Sequence, residues 1–445
     1  MKTLFIVEIT FLGAAREVGR SAFLLKAGKT RILLDAGVKL GKKTEFPEID
    51  DKTAGSVDYI ILSHAHLDHS GYIPFLVEKG FKGKIIATKP TRDLTQVLWA
   101  DYRRIALERE DVIFSEKAMG EALKRFELVE YGERKKIGKD LYITLHDAGH
   151  ILGSAQVLIE HGKERILYSG DINPRPSRLH RGAVMGIEAN TLIVESTYGS
   201  KNDHLPSYRT AGRELAERIN ETIEAGGRVL IPVFAVGRAQ EVLLTIEAYM
   251  RTGVIPVVPL FIDGMIAKAN RIYRANVLHL REEIWKGILL ADIDPFRSSL
   301  YRVPRTKNRR DVLAEKPAII VSTSGMLTGG PSVMYLKHVA PEPESTVILV
   351  GYQAEGTLGR ELVEGTREVE INGEKIPVNC AAYTAQFSAH GDYNDLMRYV
   401  RAVNPERVFV VHGEESKSKE FADELKKRKI DAIAPTRGEA YDIRA

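Results

Sequence analysis

Ser63-His64-Ala65-His66-Leu67-Asp68-His69 follows directly on the apolar run Val57 to Leu62. Three imidazoles and a carboxylate crowd seven residues at the end of what reads as a buried strand. Packing gives no reason for this density, because His and Asp are costly to bury unless paired or metal-bound. Two transition-metal ions held side by side explain it, provided the rest of the chain supplies the missing ligands. His64 and His66 stand two apart and point the same way in extended backbone. Asp68 and His69 come next and turn towards a second ion.

Further candidates recur where strands end. His150 lies in Asp147-Ala148-Gly149-His150-Ile151-Leu152-Gly153-Ser154, Asp171 ends Leu167-Tyr168-Ser169-Gly170-Asp171, and His412 ends Val410-Val411-His412-Gly413-Glu414. Small neighbours let backbone and ligands approach closely at each. A paired site needs a ligand shared between the ions, and a carboxylate can use both oxygens that way. Asp171 is that ligand in our reading. His64, His66 and His150 hold one ion, and Asp68, His69 and His412 the other. Nitrogen and oxygen ligands without thiolate favour zinc, with manganese as the alternative. Two ions ~3.5–4 Å apart share a hydroxide and clamp the attacking and leaving oxygens of a phosphoryl displacement. His146, four residues before His150, reads as a strand-end residue.

Composition sets the frame. With 445 residues, 44% of them hydrophobic, the chain has material for two or three domains. A net charge of +4 with 28% charged residues means that a polyanion meets local patches and not a globally basic surface. The single cysteine, Cys380, excludes an intrachain disulfide and a Cys-rich zinc module. No leader pattern and no apolar run near ~18 residues is found, so a soluble, cytoplasmic protein without membrane contact is expected.

Residues 1–198 alternate strand-like and helix-like patterns, with turns at Ala27-Gly28-Lys29 and His161-Gly162-Lys163 that predict hairpins. One long helix is predicted from Thr91 to Phe126. From about 207 to 380 strand and helix succeed each other regularly: helix Tyr208 to Ala225, strand Arg228 to Pro232, helix Arg238 to Met250, then strands Val257 to Ile262, Ala318 to Ser322 and Thr346 to Gly351. That succession reads as an inserted parallel α/β unit. Beyond about 385 the first pattern resumes. The expected division is 1–198, 199–385 and 386–445.

These residues resemble the metallo-β-lactamase superfamily and, within it, the β-CASP nucleases. Asp35 in Leu33-Leu34-Asp35-Ala36-Gly37 fits the first motif, His64 to His69 the second, His150 the third and Asp171 the fourth. Glu195 in Glu195-Ser196-Thr197-Tyr198-Gly199 fits the first β-CASP motif, His390 in Phe387-Ser388-Ala389-His390-Gly391-Asp392 the second, and His412 the third. Ile231 to Glu241 and Gly351 to Leu358 resemble the cleavage-factor branch, most closely the archaeal CPSF-like ribonucleases in their short form without KH modules. The resemblance implies an αββα sandwich interrupted by a parallel α/β β-CASP domain.

It also implies a zinc-dependent ribonuclease acting on single-stranded RNA. A hydroxide bound between two zinc ions attacks phosphorus, and the products carry 5′-phosphate and 3′-hydroxyl. His390 is the expected general acid, its ring held by Glu195, and Asp68 belongs with them to the catalytic set. Asp35 is expected to orient the His64–His66 loop from behind the ligands. A histidine at position 412 resembles the RNA-cleaving branch, and the cleavage-factor motifs favour internal cuts over 5′-to-3′ trimming. Ser322, Ser324, Gly325, Thr357 and Arg238 are the candidate phosphate contacts. Arg175, Arg178 and Arg181, Arg134 to Lys139, and Arg302 to Arg310 are the candidate RNA-facing basic runs. A homodimer or a homologous nuclease is the expected protein partner. The helix predicted at Lys417 to Lys429 either packs on the core or meets another subunit. Weaker readings are a DNA nuclease, a non-catalytic scaffold of a cleavage complex, and a thioester or lactone hydrolase.

Overall fold

The computed structural model describes residues 7–41, 43–108, 113–305, 308–351 and 353–443. It falls into two compact units, one formed by residues up to Pro176, His180–His204 and the chain from Ala389, the other by Ser177–Leu179 and Leu205–Ser388.

Among the described residues, the first unit holds two seven-stranded sheets. In one, the order is Ala440–Ile443, Val7–Phe11, Phe23–Ala27, Thr30–Leu34, Tyr59–Ile61, Lys84–Ala87 and Phe126–Leu128. In the other, it is Asp431–Ile433, Arg407–Val411, Thr191–Glu195, Glu164–Tyr168, Ala155–His161, Leu141–Asp147 and Arg134–Gly138. Alternation along the strands sorts their side chains into layers. Val7, Ile9, Phe11, Phe23 and Ile61 face Ile143, Val157, Ile193 and Phe409 between the sheets. Leu33, Ile60 and Leu62 turn outward onto Trp99 and Tyr102 of helix Lys89–Glu108. Leu192, Val194, Val408 and Val410 turn outward onto helices Tyr393–Val403 and Glu415–Lys427. Each fully buried Leu, Ile or Phe in these layers contributes about 1.5–3 kcal/mol. The result is an αββα sandwich.

The second unit is built on a six-stranded sheet in the order Tyr301–Arg302, Leu260–Asp263, Ala318–Ser322, Arg228–Pro232, Thr346–Val350 and Ala381–Ala385, every pairing parallel. Its central strands are buried on both faces, as continuous apolar runs require. Val229 and Ile231 meet helices Tyr208–Glu224 and Arg238–Arg251, while Leu230, Ile320 and Leu349 meet helix Pro331–Val339.

Two expectations, a helix and a strand, need correction. The helix predicted from Thr91 to Phe126 is two helices, Lys89–Glu108 and Glu116–Lys124, because Ser115 caps the second by accepting from Ala118 N. Phe126 then opens an edge strand. The basic run Arg134 to Lys139 contains the sheet-edge strand Arg134–Gly138, in which Arg134 pairs with Glu160 and Lys135 with Glu127. The strand predicted at Val257 to Ile262 is Leu260–Asp263. Helix Glu415–Lys427 packs on the core through Phe421, Ala422 and Leu425. Among the described residues, no helix is long and apolar enough to cross a membrane. Tyr352, and Thr306 and Lys307 of the run Arg302 to Arg310, lie outside the described residues.

Candidate metal centre

The parallel strands of the first unit deliver their C-terminal ends to one edge, where ligands gather in α/β sheets. Strand Thr30–Leu34 ends in Asp35, Tyr59–Ile61 leads to His64, Glu164–Tyr168 leads to Asp171, Thr191–Glu195 ends in Glu195, and Arg407–Val411 leads to His412. The short helix Leu67–Ser70 turns Asp68 and His69 back beside them. This turn needs Gly37, since a Cβ there would lie 1.7 Å from the carbonyl oxygen of Asp68. Gly37→Ala is therefore expected to cost about 1–3 kcal/mol by overpacking, read as a lowered midpoint in thermal unfolding. An unchanged midpoint would show that the Asp68 turn is not held there.

Asp171 divides the cluster. Its Oδ2 lies 3.5 Å from Nε2 of His64 and 3.6 Å from Nε2 of His150. Nδ1 of His66 stands 3.2 Å from the first of these nitrogens and 3.1 Å from the second. Its Oδ1 lies 3.2 Å from Nε2 of His69 and 3.8 Å from Nε2 of His412. Asp68 Oδ2 completes that side, 3.7 Å from Nε2 of His412 and 4.0 Å from Nε2 of His69.

The histidine nitrogens on the far sides of these rings are also engaged. Nδ1 of His150 donates to the carbonyl of Ala389 at 2.9 Å. Nδ1 of His64 lies 3.1 Å from Ser63 Oγ, Nδ1 of His69 2.7 Å from Asp35 Oδ2, and Nδ1 of His412 2.8 Å from Ser21 Oγ. Outer contacts of this kind fix ring orientation and aim the opposite nitrogen inward. Asp35 is fully buried with φ 58°, in left-handed backbone. It accepts from the backbone N–H of Ser63, the Ser63 hydroxyl and the Tyr168 hydroxyl, each at 2.7 Å. It sits behind His69 and Ser63 and outside the inward-facing cluster.

Charge follows from this packing. Burial, reinforced by neighbouring imidazoles, holds His64 and His150 well below the ordinary imidazole range and so neutral. Burial acts the same way on His69, but Asp171, Asp68 and Asp35 outweigh it and raise that ring well above its ordinary value. Burial alone would raise Asp171, yet His69, His412 and His64 hold it well below the usual carboxylate range. These residues fit bound metal. Asp171 Oδ1 is buried with no well-aligned hydrogen-bond donor, nitrogens converge as close as 3.1 Å, and the donor set is nitrogen and carboxylate oxygen.

His390 stands beside the cluster, its ring centroid 4.7 Å from that of His150. Its Nδ1 is 2.7 Å from Glu195 Oε1. That oxygen also accepts from Ile172 N at 2.9 Å, and Oε2 accepts from Thr197 N at 3.2 Å. Arg175 is ion-paired with Asp392 and Asp395.

The candidate phosphate contacts gather in the second unit, at the C-terminal ends of its central strands. Gly325 packs on the backbone of Val233 and Phe234, with Phe234 N 2.8 Å from where a Cβ would stand. Ser324 Oγ accepts from Thr328 N and donates to Gly329 O, and Thr357 Oγ1 caps helix Leu358–Val363 by accepting from Arg360 N. Ser322 Oγ is buried without a hydrogen-bond partner among the described residues, and Arg238 is a buried helix-first residue. Arg178 N–H is held by Glu241. A cavity of about 330 Å³ lined by Lys29, Lys82 and Lys84 opens at the start of strand Tyr59–Ile61, the opposite end from His64. Sequence reasoning did not find Ser21, Ser63, Tyr168 or the Ala389 carbonyl. Only Ser63 carried a signal, its place beside His64.

Comparison with known proteins finds three matching family models along the chain. A family model of the metallo-β-lactamase superfamily domain matches residues 24–194, one of the β-CASP domain residues 239–362, and one described as a Zn-dependent metallo-hydrolase RNA specificity domain residues 375–435. The chain is 42% identical over 438 residues to the transcription termination factor FttA of Methanocaldococcus jannaschii, covering 95% of this chain and 69% of that one. It is 41% identical over 441 residues to an RNase J-like protein of the same organism, covering 98% of this chain and all of that one. The crystal structure of a protein of unknown function from Enterococcus faecalis V583 matches with a TM-score of 0.59 at 14% identity, covering 98% of this chain and 100% of that one, a likeness of fold alone. The chain belongs to the β-CASP family of the metallo-β-lactamase superfamily and is a Zn-dependent metallo-hydrolase.

Proposed function

We propose that this protein is a ribonuclease that hydrolyses phosphodiester bonds of single-stranded RNA with two zinc ions, cutting internally and working in the cytoplasm. The observation that carries the reading is the division of Asp171: one oxygen faces His64 and His150, with His66 beside them, and the other faces His69 and His412, with Asp68 beside them. What two zinc ions supply when bound is Lewis acidity towards phosphate and a water ionised near neutral pH. The chain's own residues do the rest. His64, His66 and His150 would hold one ion and Asp68, His69 and His412 the other, with Asp171 offering an oxygen to each side. Asp35 fixes His69 and the Ser63 turn from behind.

His390 delivers a proton to the departing 3′ oxygen, so that cleavage leaves a 5′-phosphate and a 3′-hydroxyl. Glu195 orients it through Nδ1. Both Glu195 oxygens are already engaged by backbone N–H groups and by His390, which argues for orientation and against metal ligation, although Asp171, Glu195 and His390 also bring ligand atoms within 4.8 Å of one another. Support for RNA comes from the RNA specificity domain match over 375–435 and from a histidine at position 412. Ser322, Gly325 and Arg238 remain candidate phosphate contacts. The hydroxyls of Ser324 and Thr357 are committed to their own loops, so any contact there runs through backbone N–H groups.

A second reading, action on nascent transcripts in termination, rests on the 42% identity to FttA. The full coverage of the RNase J-like relative favours the ribonuclease. The test is cleavage of a 5′-end-labelled single-stranded RNA by the purified protein with and without chelator. Internal fragments with 3′-hydroxyls that disappear on chelation are expected. Early release of labelled mononucleotide would replace the internal mode with 5′-to-3′ trimming, and no cleavage by the zinc-loaded chain would overturn the enzyme reading.

A further inference from the structure

Ser21 lies near the end of the loop between strands Val7–Phe11 and Phe23–Ala27 and is fully buried. Its backbone N–H donates to the carbonyl of Asp68 at 2.8 Å, and its own carbonyl accepts from Gly37 N at 3.0 Å. Its hydroxyl lies 2.8 Å from Nδ1 of His412 and 3.4 Å from Nε2 of His69. One residue thus touches Asp68, His69 and His412, which come from places in the chain up to 391 residues away.

The loop is built around this position. Ala14, Arg16 and Arg20 adopt φ of 51°, 57° and 46°, values that persist only where surrounding structure over-determines them. The surroundings do so here. The carbonyl of Ala14 accepts from His412 N at 2.8 Å, and the Arg16 guanidinium donates twice to the carbonyl of Ala434, at 3.1 and 2.9 Å. The other side of the cluster is held differently. His64 leans on Ser63 and His150 on Ala389, and among the described residues no hydrogen bond joins Ser21 to either.

Resting on the two-ion reading, we propose that Ser21 is a positioning residue for the second ion alone, the one faced by Asp68, His69 and His412. With Nε2 of His412 directed at Asp171 and Asp68, the ring proton sits on Nδ1 and is donated to Ser21 Oγ. That bond fixes the tautomer with its Nε2 lone pair turned inward. The main chain of Ser21 meanwhile holds the Asp68 turn within reach.

The test is stepwise cobalt(II) titration of the full chain stripped of metal, followed by the visible absorption of each equivalent. The unmutated chain is expected to take up two ions. Ser21→Ala is expected to bind the first as the unmutated chain does and the second about 10–100-fold more weakly. Ser21→Thr, which returns the hydroxyl, is expected to restore the second step. Ser21→Gly removes the hydroxyl without adding a methyl group, and it serves where Ser21→Ala does not fold. Second-ion binding of unmutated strength in either hydroxyl-deleted variant would overturn the inference, as would equal weakening of both steps. Fewer than two ions in the unmutated chain would overturn the two-ion reading and this inference with it, a failure visible before any substitution is made.

Discussion

Asp171→Ala is expected to abolish RNA cleavage and to release both ions from the purified protein. Among the described residues, this carboxylate is the only side chain whose two oxygens face the two halves of the cluster, at 3.2–3.8 Å from four histidine nitrogens. Alanine leaves imidazole nitrogens alone on one side and adds to those on the other only the Asp68 carboxylate. Two cations held ~3.5–4 Å apart repel strongly without a shared anion between them. Metal analysis per chain and a single-turnover cleavage assay check this. Retention of two ions would remove Asp171 from the bridging position.

The same substitution also has a pH signature in metal-free protein. The carboxylate is held well below its ordinary 3.8, so the stability it confers is present above that pH and is lost as pH falls further. The urea midpoints of unmutated and Asp171→Ala chains should therefore differ near neutrality and converge on acidification.

His390→Ala is expected to retain zinc at the unmutated stoichiometry and to lose about 10²–10⁴-fold in cleavage rate, the range by which a positioned acid accelerates proton transfer. The distinction from Asp171 lies in what the ring touches. Its Nδ1 is 2.7 Å from Glu195, whose carboxylate also accepts from Ile172 N and Thr197 N. An RNA carrying a good leaving group at the scissile 3′ position needs no acid, so with that substrate the variant should recover most of the lost rate. Loss of zinc from His390→Ala would make it a ligand. An unchanged rate on ordinary RNA would leave the proton to another group.

The sandwich and the inserted parallel sheet were legible in the chain for one physical reason. Strands such as Arg228–Pro232 and Ala318–Ser322 are buried on both faces and stand out as unbroken apolar runs between helices. The ligand candidates were legible because buried His and Asp are expensive, and so conspicuous after apolar strands. What escaped carries no such contrast. Strand Arg134–Gly138 lies at a sheet edge and spends its side chains on ion pairs, so its sequence reads as a solvated basic run. The break between helices Lys89–Glu108 and Glu116–Lys124 turns on one serine cap amid continuing helical periodicity. Ser21 and the Ala389 carbonyl escaped because a serine hydroxyl and a backbone oxygen look alike everywhere in a sequence. Only folding brings them against His412 and His150.

The carbonyl that accepts from His150 belongs to Ala389, and the next residue is His390. In genetic terms, on the proposed reading, this tripeptide would be pleiotropic: a backbone shift at Ala389 would disturb both the ring of His150 and the placement of His390. Gly391 is closely packed, since a Cβ there would stand 3.0 Å from both Asp395 Cβ and Pro174 Cδ. Variation there would then touch both properties together and could not tune one alone.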